Sequence, residues 1–126
     1  MSKESLFVIK PDEKSEQIAQ EAIDIAIKLG LVVSPIGGKI LTFEEARMLY
    51  QLFEKEDWFQ AFMEYLTSGE IKAYLTEGEE VIEKTLEVKR QVRKKYARDQ
   101  RRNAIHSPKT EEDARQNIEL FRRVFK

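Results

Sequence analysis

His106 is the only histidine in the chain. Near neutral pH an imidazole is a good nucleophile and proton carrier, with a reference pKa of ~6.5. Just upstream lies a strongly basic stretch, Lys84 to Arg102, with nine lysines or arginines opposed only by Glu87 and Asp99. That stretch carries +7 and the remainder of the chain −8, for a net charge of −1. Cations on this scale suit a phosphate-binding wall, for a nucleotide or for a nucleic-acid backbone, and equally a solvated helix face. Lys10, in Ile9-Lys10-Pro11-Asp12, and the aromatics Tyr50 and Trp58 complete the chemically suggestive set. Each has a plainer reading. A lone histidine is more often structural than catalytic, a Lys-Pro-Asp segment is often a turn, and helically spaced aromatics are more often core than ligand stackers.

The elements that must position these residues follow from pattern. Ser5 to Ile9 is a short β-branched and aromatic run that reads as a buried strand, stopped at Pro11. Ile18, Ala19, Ala22, Ile23, Ile25, Ala26 and Leu29 recur at helical spacing, with Gly30 as the C-terminal signal. Leu31 to Leu41 is a second strand, and Pro35 with Gly37-Gly38 marks it as an edge, a bulge or a bend. Thr42 and Glu45 form a capping box opening a helix to about Tyr50. An amphipathic helix from Trp58 to Leu66 comes next, then a third strand over Ile71–Leu75, a long charged helix after Glu77-Gly78, and a short strand at Asn103–His106. Pro108 and Thr110 open the last helix. The order β-α-β-α-α-β-α-β-α predicts an α+β fold, a ferredoxin-like four-stranded antiparallel sheet covered by helices.

Composition excludes several classes. The 126 residues suit one domain over 1–126, without repeats or linkers. The absence of cysteine removes disulfides and thiolate metal sites. No apolar run approaches the ~20 residues of a membrane span, and Met1 to Leu6 lacks the features of a signal peptide, so no membrane role and a cytoplasmic location are expected.

Three segments taken jointly carry a resemblance. They are Phe7-Val8-Ile9-Lys10-Pro11-Asp12; Tyr50 with Asp57-Trp58-Phe59, Tyr65-Leu66-Thr67-Ser68-Gly69 and Glu77-Gly78; and Arg93-Lys94-Lys95-Tyr96 leading to Arg102-Asn103-Ala104-Ile105-His106. In type and spacing they resemble the nucleoside diphosphate kinase family over nearly the whole chain. The resemblance implies ping-pong transfer of the γ-phosphoryl group of a nucleoside triphosphate, through a phosphohistidine on His106, to a nucleoside diphosphate. It implies phosphate binding by Lys10 and Arg93, Tyr50 near the transferred phosphate, Trp58 stacking on the base, and Asn103 bonding the sugar and phosphate end. Mg²⁺ bound through the nucleotide phosphates and a homo-oligomer, a dimer or higher, are implied as well.

Four positions depart from the family pattern. Ser107-Pro108-Lys109-Thr110 stands where the family reads Gly-Ser-Asp-Ser. The family's glutamate that contacts the histidine ring falls on Asn117, which holds a tautomer but does not stabilise an imidazolium, so transfer slowed by about 10- to 100-fold is expected. A loop between the Lys84 helix and Arg93 is shortened by about ten residues. Its threonine has only Thr85 as a nearby candidate. The family's helix arginine aligns with Leu86, with Arg90 one turn on as the substitute. These departures keep open a degenerate relative that binds nucleotides or a protein partner without turnover. A nucleic-acid module is not expected, since the basic stretch lacks a binding motif and holds only Tyr96 as an aromatic.

Overall fold

The computed structural model describes residues 3–97 and 104–125. Strand β1 (Glu4–Ile9) leads to helix α1 (Ser15–Lys28), β2 (Val32–Ile40) and α2 (Phe43–Leu49), then a 3₁₀ turn at Gln51–Phe53. Helix α3 (Phe59–Leu66), β3 (Glu70–Glu77), α4 (Val81–Tyr96), β4 (Ile105–His106) and α5 (Glu111–Val124) complete the chain. The strands form one sheet in the order β2-β3-β1-β4, antiparallel throughout. This is the expected ferredoxin-like α+β arrangement.

β1 is apolar without alternation because both faces of the sheet are covered. Its side chains still alternate in destination, as strand geometry requires. Leu6 and Val8 enter a core with Phe59, Phe62, Met63 and Leu66 of α3 and Ile118 and Phe121 of α5. Phe7 and Ile9 enter the opposite core, against Ile18, Ala22 and Ala26 of α1 and Val88 and Val92 of α4. Leu6 through Ile9 are completely buried, each side chain ending most of its solvent exposure on folding.

β2 lies at an edge, and its pairing with β3 shifts register between Pro35 and Gly37. That is the bulged edge its proline and glycines predict. A Cβ on Gly37 would stand 2.8 Å from Cβ of Phe125, so glycine is required there by close approach. α1 ends in a Schellman arrangement, with Leu31 N–H donating to Ala26 C=O at 3.0 Å and Gly30 N–H to Ile27 C=O at 2.9 Å. Gly30 takes the left-handed conformation this demands, φ +88°. The capping box of α2 is present in full: Thr42 Oγ accepts from Glu45 N–H, and Glu45 accepts from Thr42 N–H.

The structure alters one expectation. No loop separates Lys84 from Arg93, because both lie on α4, one continuous helix. Nothing between Gly78 and Pro108 breaks a helix by type, and Val81, Thr85, Val88 and Val92 supply a buried stripe at i, i+3, i+4 spacing. Thr85 belongs to that stripe. Its hydroxyl bonds Val81 C=O at 2.6 Å and shares a hydrogen with Thr76 at 2.9 Å. It is a structural residue and does not stand in for the family's loop threonine.

Candidate active site

β4 is two residues long, and it aligns His106 opposite Val8 of β1. Directly opposed residues of an antiparallel pair share a face, so the imidazole lies on the side covered by α2, α3 and α5. Ile105 faces the other way, into the core with Val88 and Val92. Ala104, just before β4, takes φ +73°, and Lys10 N–H donates to its C=O at 2.8 Å. The end of β1 therefore holds both Lys10 and the start of the histidine strand.

His106 Nε2 lies 3.0 Å from Asn117 Oδ1, about two turns into α5 beyond its Thr110 cap. An amide oxygen accepts, so Nε2 carries the hydrogen and Nδ1 keeps its lone pair. Burial pushes the imidazole pKa down to about 4, against the Asn117 hydrogen bond, and Lys10, Lys89 and Arg93 add to the depression. Tyr50, at the C-terminus of α2, sets its ring edge-on to His106 with centroids 6.4 Å apart, and also edge-on to Phe62 at 5.0 Å. Burial keeps its phenol protonated, and the buried hydroxyl has no hydrogen-bond partner among the described residues.

The cations reach His106 from two directions. Lys10 is 4% exposed, and its Nζ lies over the Phe62 ring at 5.5 Å. Arg93 belongs to α4, on the opposite face of the sheet, yet its Nε donates to Ile105 C=O at 3.1 Å. This is possible because β4 is a short edge strand around which α4 side chains pass. A cavity of about 590 Å³ opens at the histidine, with Tyr50, Arg93, His106, Ser107 and Asn117 on its wall. Leu52 and Phe53 of the 3₁₀ turn form an apolar rim.

Of the residues singled out by sequence, His106, Tyr50 and Arg93 share this cavity, and Lys10 acts on the imidazole from beside it. Trp58 does not line it. The indole packs edge-on against Phe62 at 5.8 Å and tilted against Phe53 at 5.6 Å, one residue layer back from the rim. Asn103 lies outside the described residues. Arg90, the expected substitute for the helix arginine, is exposed and ion-paired with Glu87, off the cavity wall. Lys89 lines the cavity instead, together with Lys109. The helical spacing of Lys89 and Arg93, four apart, is the signal that would have picked Lys89 out of the basic stretch.

A neutral, oriented histidine among cations, in a cavity at the edge of an α+β sheet, has the chemistry that phosphoryl transfer asks for. A family model described as nucleoside diphosphate kinase matches residues 3–125. The nucleoside diphosphate kinase of Aquifex aeolicus (strain VF5) is 24% identical over 127 residues, covering 90% of this chain and 89% of the relative. That of Francisella tularensis subsp. tularensis is 28% identical over 127 residues, covering 93% and 91%. A crystal form of the Aquifex aeolicus enzyme superposes with a TM-score of 0.78, at 24% identity, over 94% of this chain and 93% of that one. The chain belongs to the nucleoside diphosphate kinase family, a family of phosphotransferases.

Proposed function

We propose that this chain moves the γ-phosphoryl group of a nucleoside triphosphate to a nucleoside diphosphate through a phosphohistidine on His106. The observation carrying the reading is the His106–Asn117 hydrogen bond at the cavity. It commits Nε2 and leaves Nδ1 as the nucleophile. The Nδ1 lone pair attacks the γ-phosphorus, the bond to the β-phosphate oxygen breaks, and the diphosphate leaves with that electron pair. A terminal oxygen of a second diphosphate then attacks the phosphorus, and the P–N pair returns to Nδ1. Each half-reaction is a matter of positioning and charge compensation.

Lys10 and Arg93 offset charge on the phosphates, and the Tyr50 hydroxyl, buried beside the imidazole, donates to a phosphoryl oxygen. Asn103 serves the sugar and phosphate end. Phe53 supplies an aromatic face for the base, with Trp58 packed behind it, and the base is held by stacking and not read at its edges. The donor set fits Mg²⁺ arriving on the nucleotide. Asp113 is the one carboxylate among the cavity residues described, and Mg²⁺ favours phosphate oxygens and retained waters. Bound on the nucleotide, the ion would offset phosphate charge. Among the described residues no helix is long and apolar enough to cross a membrane. A homo-oligomer in a cytoplasmic setting belongs to the same reading, and a monomer mass in sedimentation equilibrium would remove that part of it.

The test is direct. Incubation with γ-labelled ATP and Mg²⁺ should leave acid-labile label on the chain, added GDP should discharge it, and His106→Ala should abolish it. Label that survives in His106→Ala, or none on the wild type, sinks the mechanism. Retained ADP binding without label would leave the degenerate relative as the reading.

A further inference from the structure

Lys89 has the position of a phosphate ligand but no assignment from the motif residues. It is half-buried on α4, four residues before Arg93, and its side chain passes the β4 edge to the cavity. Among the described residues its Nζ finds only the Ser107 carbonyl, at the 3.5 Å limit of hydrogen-bond reach. Among the described residues no carboxylate pairs with it. A buried, uncompensated ammonium is costly unless something negative completes it. Two buried hydroxyls on the same wall, Ser107 Oγ and Tyr50 Oη, also lack partners among the described residues. An ammonium and two idle hydroxyls around one cavity call for a ligand rich in acceptor oxygens and negative charge.

We infer that Lys89, with the Ser107 hydroxyl beside it, binds a phosphate group of the nucleotide and replaces the helix cation missing at Leu86. This rests on the phosphotransfer reading above for the identity of the ligand. The substitution follows from the continuous helix: without a loop before Arg93, α4 runs straight past β4, and its position 89 reaches the cavity. Arg90, next along the chain, points to solvent and Glu87.

The charge state of Lys89 provides a signature that packing alone would not. Burial first, then the nearby Arg93, Lys109 and Arg90, pulls its pKa down to about 8. The other charged or titratable groups on the same cavity wall are Tyr50 at the end of α2, His106 on β4 and Asp113 on α5. An anionic ligand binds the protonated form, so affinity holds constant below about pH 8 and falls above it as Lys89 loses its proton.

The experiment is calorimetric titration of the full chain with Mg·ADP between pH 6.5 and 9.5, for wild type, Lys89→Gln, Lys89→Arg and Arg90→Ala. Lys89→Gln should weaken ADP binding about 10-fold or more at pH 7, the scale of a lost charge-assisted hydrogen bond. Lys89→Arg should restore affinity and remove its decline above pH 8, since a guanidinium stays charged. Arg90→Ala should bind as wild type does. Lys89→Gln affinity within twofold of wild type, or a pH profile unchanged in Lys89→Arg, overturns the assignment whatever the labelling experiment shows. A Lys89-dependent affinity on a chain that takes no label keeps the assignment and overturns turnover instead.

Discussion

Asn117 orients the imidazole at 3.0 Å, but on the proposed phosphohistidine mechanism it would add no charge to stabilise the ring as that becomes cationic. Asn117→Glu should speed phosphoenzyme formation about 10- to 100-fold, the usual weight of a residue that orients and charges a ligand from behind. Rapid quench with labelled ATP measures it, and an unchanged or slower rate in the folded variant would dispose of the idea. The same substitution should move the acid limb of kcat/KM. In the wild type, His106 is protonated only near pH 4, where the lone pair is lost, so the limb falls there as pH drops. A carboxylate at 117 favours the imidazolium and shifts the limb upward. The linkage to folding has the matching sign. A histidine depressed from ~6.5 to about 4 contributes stability above the unfolded-state value, lost progressively as pH falls from ~6.5 toward 4.

Elements decide how well those residues are held. α2 is only seven residues long and carries Tyr50 at its C-terminal end, so its own propensity contributes little and its N-cap much. Thr42→Ala removes the half of the capping box in which the Thr42 hydroxyl accepts from Glu45 N–H, leaving the backbone half, and should cost about 1 kcal/mol in chemical denaturation, with Thr42→Ser nearly neutral. Equal stability of the alanine and wild-type chains would contradict the cap's role. This box was legible in sequence from Thr42 and Glu45 alone, because capping is a local spacing rule. The path of α4 was not legible in the same way. Alignment of motifs registers a deletion of residues as a shortened loop, whereas helix continuity depends on whether Val88 and Val92 find a core to enter.

At the scale of the molecule, two cores share the single layer of β1. Leu6 and Phe7 are neighbours in sequence and lie on opposite faces of the sheet. If 1–126 is one domain, Leu6→Ala and Phe7→Ala should each destabilise one common unfolding transition, by about 2–5 and 3–5 kcal/mol. Resolved transitions, each sensitive to one substitution, would divide the chain into two units. The charge asymmetry also acquires structure here. The basic side chains of α4 separate by face: Lys89 and Arg93 turn to the cavity, while Lys95 pairs with Glu21 of α1 and Arg90 with Glu87. The stretch is thus part solvated face and part cavity wall, the two readings its composition left open.

By itself the sequence determined the strand and helix order, the bulged edge at Pro35–Gly37, both threonine caps and the family, since each rests on local spacing or on motifs read in series. It also placed Asn117 in register with His106. Only the tertiary structure decided which cations meet the imidazole. Lys89 and Arg93 come from the far face of the sheet, and they arrive because β4 is two residues long and lies at the edge. It likewise set Trp58 behind Phe53 and turned Arg90 outward. Those outcomes depend on sheet order, edge length and helix rotation, which are properties of packing between elements; within α4 only the four-residue spacing of Lys89 from Arg93 hints at them.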